Sequence, residues 1–229
     1  LPSGADRAFL HGVSLLIHWL SAVLIGQILQ VTGRSAEESL AASILFIVFP
    51  FMFMAVPWIT ALSHPLVTML TLLATFAALR AEREQVRRWW SLSLLATILA
   101  PLAHESGQVC ALIGGGIVLI QHGIRSRRRV AFVALGVFLN AGMMLLRQYI
   151  PRVGTPGFAG AQDAVQNTMY FLHGLTYPVA PVVGWLAREH GLQDLTLVGI
   201  AALCLLVATV WLTLRRGDWR WAASGLWWW

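Results

Sequence analysis

Leu99-Ala-Pro-Leu-Ala-His-Glu-Ser-Gly-Gln108 sets a histidine and a carboxylate side by side inside otherwise apolar sequence. Trp89 to Ala100 flanks it on one side and Val109 to Ile120 on the other, and no other stretch this apolar holds a carboxylate. An ionisable group at membrane depth costs roughly 2.5–3.5 kcal/mol on insertion scales, so it faces a cavity or a partner and marks a functional position. The competing reading makes Pro101 a helix end and His104-Glu105 the cap of the next helix at the water interface. Pro101 and Gly107 also punctuate two short apolar runs, which favours a functional break.

The rest of the chain fixes the setting of that break. Of 229 residues, 58% are hydrophobic and 11% charged, and the mean hydropathy is +0.70. A soluble domain carries about 25% charged residues, so this chain cannot cover a water-facing surface. The expected fold class is all-α: a polytopic transmembrane helical bundle with Pro-broken helices, a single domain over residues 1–229. Leu1 is not a start Met and Trp227-Trp228-Trp229 stops as a new apolar run begins, so the chain is expected to be an internal fragment, truncated at both ends. The formal charge of +6 comes from arginine alone, since lysine is absent. The arginines fall in short runs between apolar spans, which marks cytosolic loops and argues against nucleic acid as a partner. Cys110 and Cys204 lie in apolar runs and read as small core residues. With no Cys-x-x-Cys and no His-Glu-x-x-His, no metal site is expected. Gly114-Gly115-Gly116 sits inside an apolar run and reads as close helix packing, not as a phosphate loop.

Phe9 to Val31 is the first span, slightly over the roughly 20 residues a bilayer needs. Its His11, Ser14 and His18 share one helical face, which is expected to point into the bundle or a cavity. Interhelical hydrogen bonding by core histidines is the alternative, and it is favoured for His11. Ser35 and Glu38 fit a capping box for the next helix. Pro50 and Pro57 then suggest a helix end or kink. Thr60 to Leu79 is the next span, with His64-Pro65 in its first turn. Arg80 to Arg88 reads as a charged loop, Trp89-Trp90 as interfacial, and Arg125 to Arg129 as a second basic loop. Val130 to Leu146 spans again. Ile150 to Gln166, with Arg152 and Asp163, reads as an outer loop. Asn167 to Trp185, with His173, Pro178 and Pro181, is a span, a kinked half-helix or an interfacial segment. Leu195 to Leu214 is a further span. The total is about seven apolar segments.

The two arginine-rich loops share a side if the apolar runs between them form a hairpin, and the positive-inside rule places both in the cytosol. The turn holding Pro101, His104 and Glu105 is then extracytoplasmic. So are the segment from Pro50 to His64 and the start of the first span. The polar intramembrane groups are thus expected to converge on one side.

The order of these features resembles the GT-C superfamily of polytopic glycosyltransferases, in particular the bacterial relatives of the protein O-mannosyltransferases. Leu10-His11-Gly-Val-Ser14-Leu-Leu-Ile-His18 is similar to the family's Phe-His-x-x-Asn-x-x-x-His. Phe46-Ile-Val-Phe-Pro50 and Ala55-Val-Pro-Trp58 follow its Phe-Ala-x-x-Pro and Ala-Val-x-Trp. His64 stands where the family has the Asp of Arg-x-Asp. Leu102-Ala-His104-Glu105-Ser106 resembles its Leu-x-Lys-Glu-x, with His for Lys. The likeness covers residues 9–122. It implies transfer of a sugar from a polyprenyl-phosphate carrier to a sugar, lipid or protein acceptor on the outer face of a bacterial plasma membrane. The family's catalytic Asp lies in an outer loop upstream of the matched helix, and no residue of this chain occupies that place. The departures at Ser14, His64 and His104 leave room for a divergent subfamily with another donor.

Within that reading, Glu105 and His104 are the candidate catalytic residues, and His18, His64, Arg147 and Arg152 the candidate substrate-binding ones. Arginine suits a carrier phosphate because its fork pairs with the oxygens; interfacial snorkelling is the alternative for Arg147 and Arg152. Glu105 is also a candidate helix cap, and His18 and His64 are candidate packing residues. The lipid-linked sugar is substrate, and no cofactor is expected. Two other classes remain open on the sequence: a transporter or flippase with a His/Glu proton relay, and a non-catalytic membrane scaffold.

Overall fold

A computed structural model describes residues 4–48, 62–149 and 219–228, with single positions between 204 and 217. By packing, the chain divides into two compact units. One is Leu1–Ile150 with Ala223–Trp229, and the other is Pro151–Ala222. In the second unit, Arg215 stacks over Trp211 at 4.1 Å and Arg220 over Trp219 at 5.7 Å.

Every regular element among the described residues is helical. They are α1 (Gly4–Val31), α2 (Ala36–Ile47), α3 (Ser63–Glu84), α4 (Arg87–Ala103), a 3-10 turn (Glu105–Val109), α5 (Cys110–His122), α6 (Arg127–Gln148) and α7 (Trp219–Trp228). Among these residues, Ala8–Val31, Ser63–Glu84 and Arg127–Leu146 are long and apolar enough to cross a membrane. α4 and α5, at 17 and 13 residues, fall short of the roughly 20 that a full crossing needs.

α3 is the central helix. Two thirds of its apolar window (67%) is buried, against 28% for α1 and 11% for α6. Its Val67, Leu70 and Ala74 pack with Ala96, Ala100 and Cys110 of the α4–α5 pair. Further along, Ala78, Leu79 and Ala81 pack with Trp90 and Val118, and Ile28, Val31 and Phe132 lean on that cluster. The outward faces stay apolar: Phe9, Leu15 and Trp19 on α1, Leu45 on α2, Phe138 and Leu146 on α6 are all more than half exposed. Water-soluble monomers rarely expose apolar surface on that scale; lipid-facing helices do.

Small residues bring the backbones together. Ser43 Oγ donates to Ala22 O at 2.8 Å, and a Cβ on Gly26 would lie 2.7 Å from that hydroxyl. Each glycine of Gly114-Gly115-Gly116 faces a different neighbour: Thr75 of α3, Val133 of α6 and Trp227 of α7. Trp227 Nε1 donates to Leu112 O at 3.0 Å, a seat that a side chain at Gly116 would fill.

The helix ends refine the expected boundaries. Ser35 and Glu38 form the capping box, both bonds present. The segment from Arg80, expected as a loop, is helical through Glu84, because Arg80 and Glu84 pair at i,i+4 on the helix. Only Gln85 and Val86 separate α3 from α4, with Gln85 in the left-handed region at φ 56°. Pro101 does not end α4 either. The helix runs on to Ala103, and the chain leaves it at His104, whose backbone is extended at φ −157° and ψ 154°.

A proline inside a helix leaves the carbonyl four residues earlier without its usual donor. Here that carbonyl is Thr97 O, and Asn140 Nδ2 of α6 donates to it at 3.1 Å. The same amide accepts from Ala111 N at 2.9 Å, in the first turn of α5. Asn140 is 2% exposed. One side chain therefore bonds to both α4 and α5. Asn140→Leu should orphan a donor and an acceptor, at about 1–3 kcal/mol for each buried group. The expected result is a clear drop in the thermal midpoint of the detergent-solubilised protein; an unchanged midpoint would remove Asn140 from this role.

Candidate functional site

α3 and α4 are antiparallel neighbours, joined at one end by the Gln85–Val86 turn and fastened midway by Ser93 Oγ donating to Ala74 O at 2.8 Å. Their far ends therefore meet. His64, the second residue of α3, and His104, just past the end of α4, meet in a tilted contact, ring centroids 4.1 Å apart and planes at 46°. The two residues are 40 positions apart in sequence, and both are sequence candidates.

The local backbone fixes how His104 is presented. Ser106 N donates to its Nδ1 at 3.2 Å, and Ser106 Oγ lies 2.9 Å from the same nitrogen. A backbone N–H only donates, so Nδ1 accepts and the proton of the neutral ring sits on Nε2. His104 O accepts from Gly107 N at 2.9 Å, which closes the turn. Gly107 is buried against the end of α4: a Cβ there would lie 2.2 Å from Ala100 C and O and 2.5 Å from Pro101 N. Only glycine permits that approach. Glu105 opens the 3-10 turn and is exposed, as is His64, while His104 is half-buried.

The other sequence candidates are distributed as follows. Ser14 and His18 lie on the buried face of α1, as expected for a face turned into the bundle. His18 does not join the His64–His104 pair. Its Nε2 donates to Ile47 O at 3.3 Å, and its ring packs against Phe46 at 4.9 Å. It closes the C-terminal end of α2, and this is the packing alternative. Arg147 lies in the last turn of α6, about 30 Å along the helix axis from Arg127 at 1.5 Å per residue. Arg152, Asp163 and the segments from Pro50 to Thr60 and from Asn167 to Trp185 lie outside the described residues.

At the opposite end of the unit, Glu82 and Arg129 form an ion pair buried on both sides. Arg129 Nη1 also donates to His122 O, at 2.6 Å, and to Gly123 O, capping α5. This pair brings the two arginine-rich turns to one level, away from His64 and His104.

Between the ends, a cavity of about 20 Å³ opens among Ala74, Ser93, Thr97, Cys110, Gly114 and Gly136. That is room for about one water. Among the described residues no group of three or more His, Cys, Asp or Glu is placed to hold a metal ion. No family model matches the chain, and no curated protein or solved structure matches it either.

Proposed function

We propose that the chain is part of a polytopic membrane glycosyltransferase of the GT-C kind. It moves a sugar from a polyprenyl-phosphate carrier to an acceptor on the extracytoplasmic face of a bacterial plasma membrane. One observation carries the reading: two motif positions of the resemblance, His64 and His104, lie ring against ring with Glu105 beside them, at the end away from the arginines. By the positive-inside rule the arginine end is cytosolic and the histidine end outer.

The chemistry assigned to this end is inverting displacement at the anomeric carbon. The acceptor oxygen bonds to the anomeric carbon as the bond to the carrier phosphate breaks, and the phosphate leaves with the electron pair. In this reading His104 is the hydrogen-bond donor to the departing phosphate, with its Nδ1 accepting from Ser106 N. Glu105 orients the acceptor hydroxyl or takes its proton. His64 packs its ring against that of His104. Arg147 and Arg152 are the arginines assigned to the carrier phosphate.

The test is Glu105→Gln in the intact gene product, assayed for transfer of labelled sugar. A loss on the order of 10²–10⁴-fold is expected for removal of a positioned acid–base group. Wild-type turnover in that variant would refute any role of Glu105 in the reaction.

A further inference from the structure

Opposite His64 and His104 lie the two arginine-rich turns. Arg83, Arg87, Arg88, Arg125, Arg127 and Arg128 are all exposed there, and the Glu82–Arg129 pair holds their two turns at one level. The carboxylates of this end are mostly committed. Glu82 serves Arg129, Glu84 takes Arg80 and the indole N–H of Trp89, and Glu38 takes Arg34 and the Ser35 amide. Among the described residues of this end, Glu37, exposed in the first turn of α2, is the remaining one.

Two of the exposed arginines lie over indole rings. The Arg88 guanidinium lies 5.6 Å over Trp89 and that of Arg128 lies 5.6 Å over Trp90. A guanidinium in contact with an aromatic ring can still turn N–H groups to an outside oxygen, in the fork geometry that suits a phosphate. Buried donors are also in surplus: Trp90 Nε1 and Arg129 Nε have no acceptor among the described residues. Apolar side chains stand among the arginines. Ile124 is 73% exposed, Val130 40% and Val86 36%. Donors for phosphate interleaved with exposed aliphatic groups and flanking tryptophans match a headgroup–acyl boundary. A nucleic acid would leave those aliphatic groups in water.

We propose that this end is a docking surface for anionic phospholipids, with their phosphates seated on the Arg87/Arg88 and Arg127/Arg128 turns. The inference is independent of the sugar-transfer reading, since it concerns the other end of the unit. The probes are phosphatidylglycerol and phosphatidylcholine of equal chain length, titrated into the detergent-solubilised protein and read by native mass spectrometry and thermal midpoint. Phosphatidylglycerol should bind at least roughly tenfold tighter, given several arginines that each favour an anionic surface several-fold. The preference should shrink at about 0.5 M salt, where screening is strong. The quadruple variant R87Q/R88Q/R127Q/R128Q should lose it while keeping its helical circular dichroism. If that variant does not fold, the headgroup and salt dependence of the wild type decides. Equal affinity for the two lipids overturns the proposal. So does equal protection by soluble glycerophosphate or by an oligonucleotide.

Discussion

Gly107→Ala is expected to open the turn that presents His104. Its new Cβ would sit 2.2 Å from the carbonyl of Ala100, and backbone on both sides leaves nothing flexible to give way. Relief requires the 3-10 turn to lift off the end of α4. That breaks the Gly107 N to His104 O bond and frees Ser106 from the imidazole. The cost falls at about 3 kcal/mol, the upper range for overpacking a close contact. The same substitution at Gly142 is the control, because a Cβ there meets nothing within 4 Å. In mid-helix it should gain up to about 1 kcal/mol from alanine's better propensity. Thermal unfolding of both variants in one detergent reads the difference. Equal midpoints would show that the α4 end is not packed this way.

Breaking the Glu82–Arg129 pair should have an effect of similar or larger size. Their side chains are only 7% and 11% exposed. Removing one partner strands the other charge, which in buried pairs costs about 3–5 kcal/mol. Arg129→Met should be the worse single change, since it also strips the donors from His122 O and Gly123 O at the end of α5. Glu82→Gln keeps those caps and loses less. The double variant Glu82→Leu/Arg129→Met should recover a good part of the loss, because no lone charge remains. Additive single losses in that cycle would place the pair in water instead.

Much of this architecture is legible in the sequence. Long apolar runs marked α1, α3 and α6, since a span declares itself by length. The Ser35–Glu38 box declared the start of α2. Loop charge alone placed His64 and His104 on one side, and their rings do meet. What escaped the sequence depends on contacts across it. Asn140 is the lone amide of the Val130–Leu146 run, and a polar group at membrane depth signals a partner. Which partner follows only once Pro101 is seen to leave Thr97 O open. The Glu82–Arg129 pair joins residues 47 apart, both inside runs that read as solvated loops. The boundaries at Glu84 and Ala103 moved because an i,i+4 ion pair extends one helix and a side chain from α6 rescues the other. His18 had the spacing of a site residue and serves the end of α2 instead.

The most direct measurement follows both products of the proposed reaction in proteoliposomes holding the intact gene product and a labelled polyprenyl-phosphate sugar. Wild type should release polyprenyl phosphate in step with sugar reaching the acceptor. His64→Ala/His104→Ala should lower both together by at least roughly a hundredfold, the scale of losing a preorganised donor. Undiminished transfer in the double variant, or proton-driven substrate uptake with no release of polyprenyl phosphate, would contradict a glycosyltransferase site at the His64–His104 end.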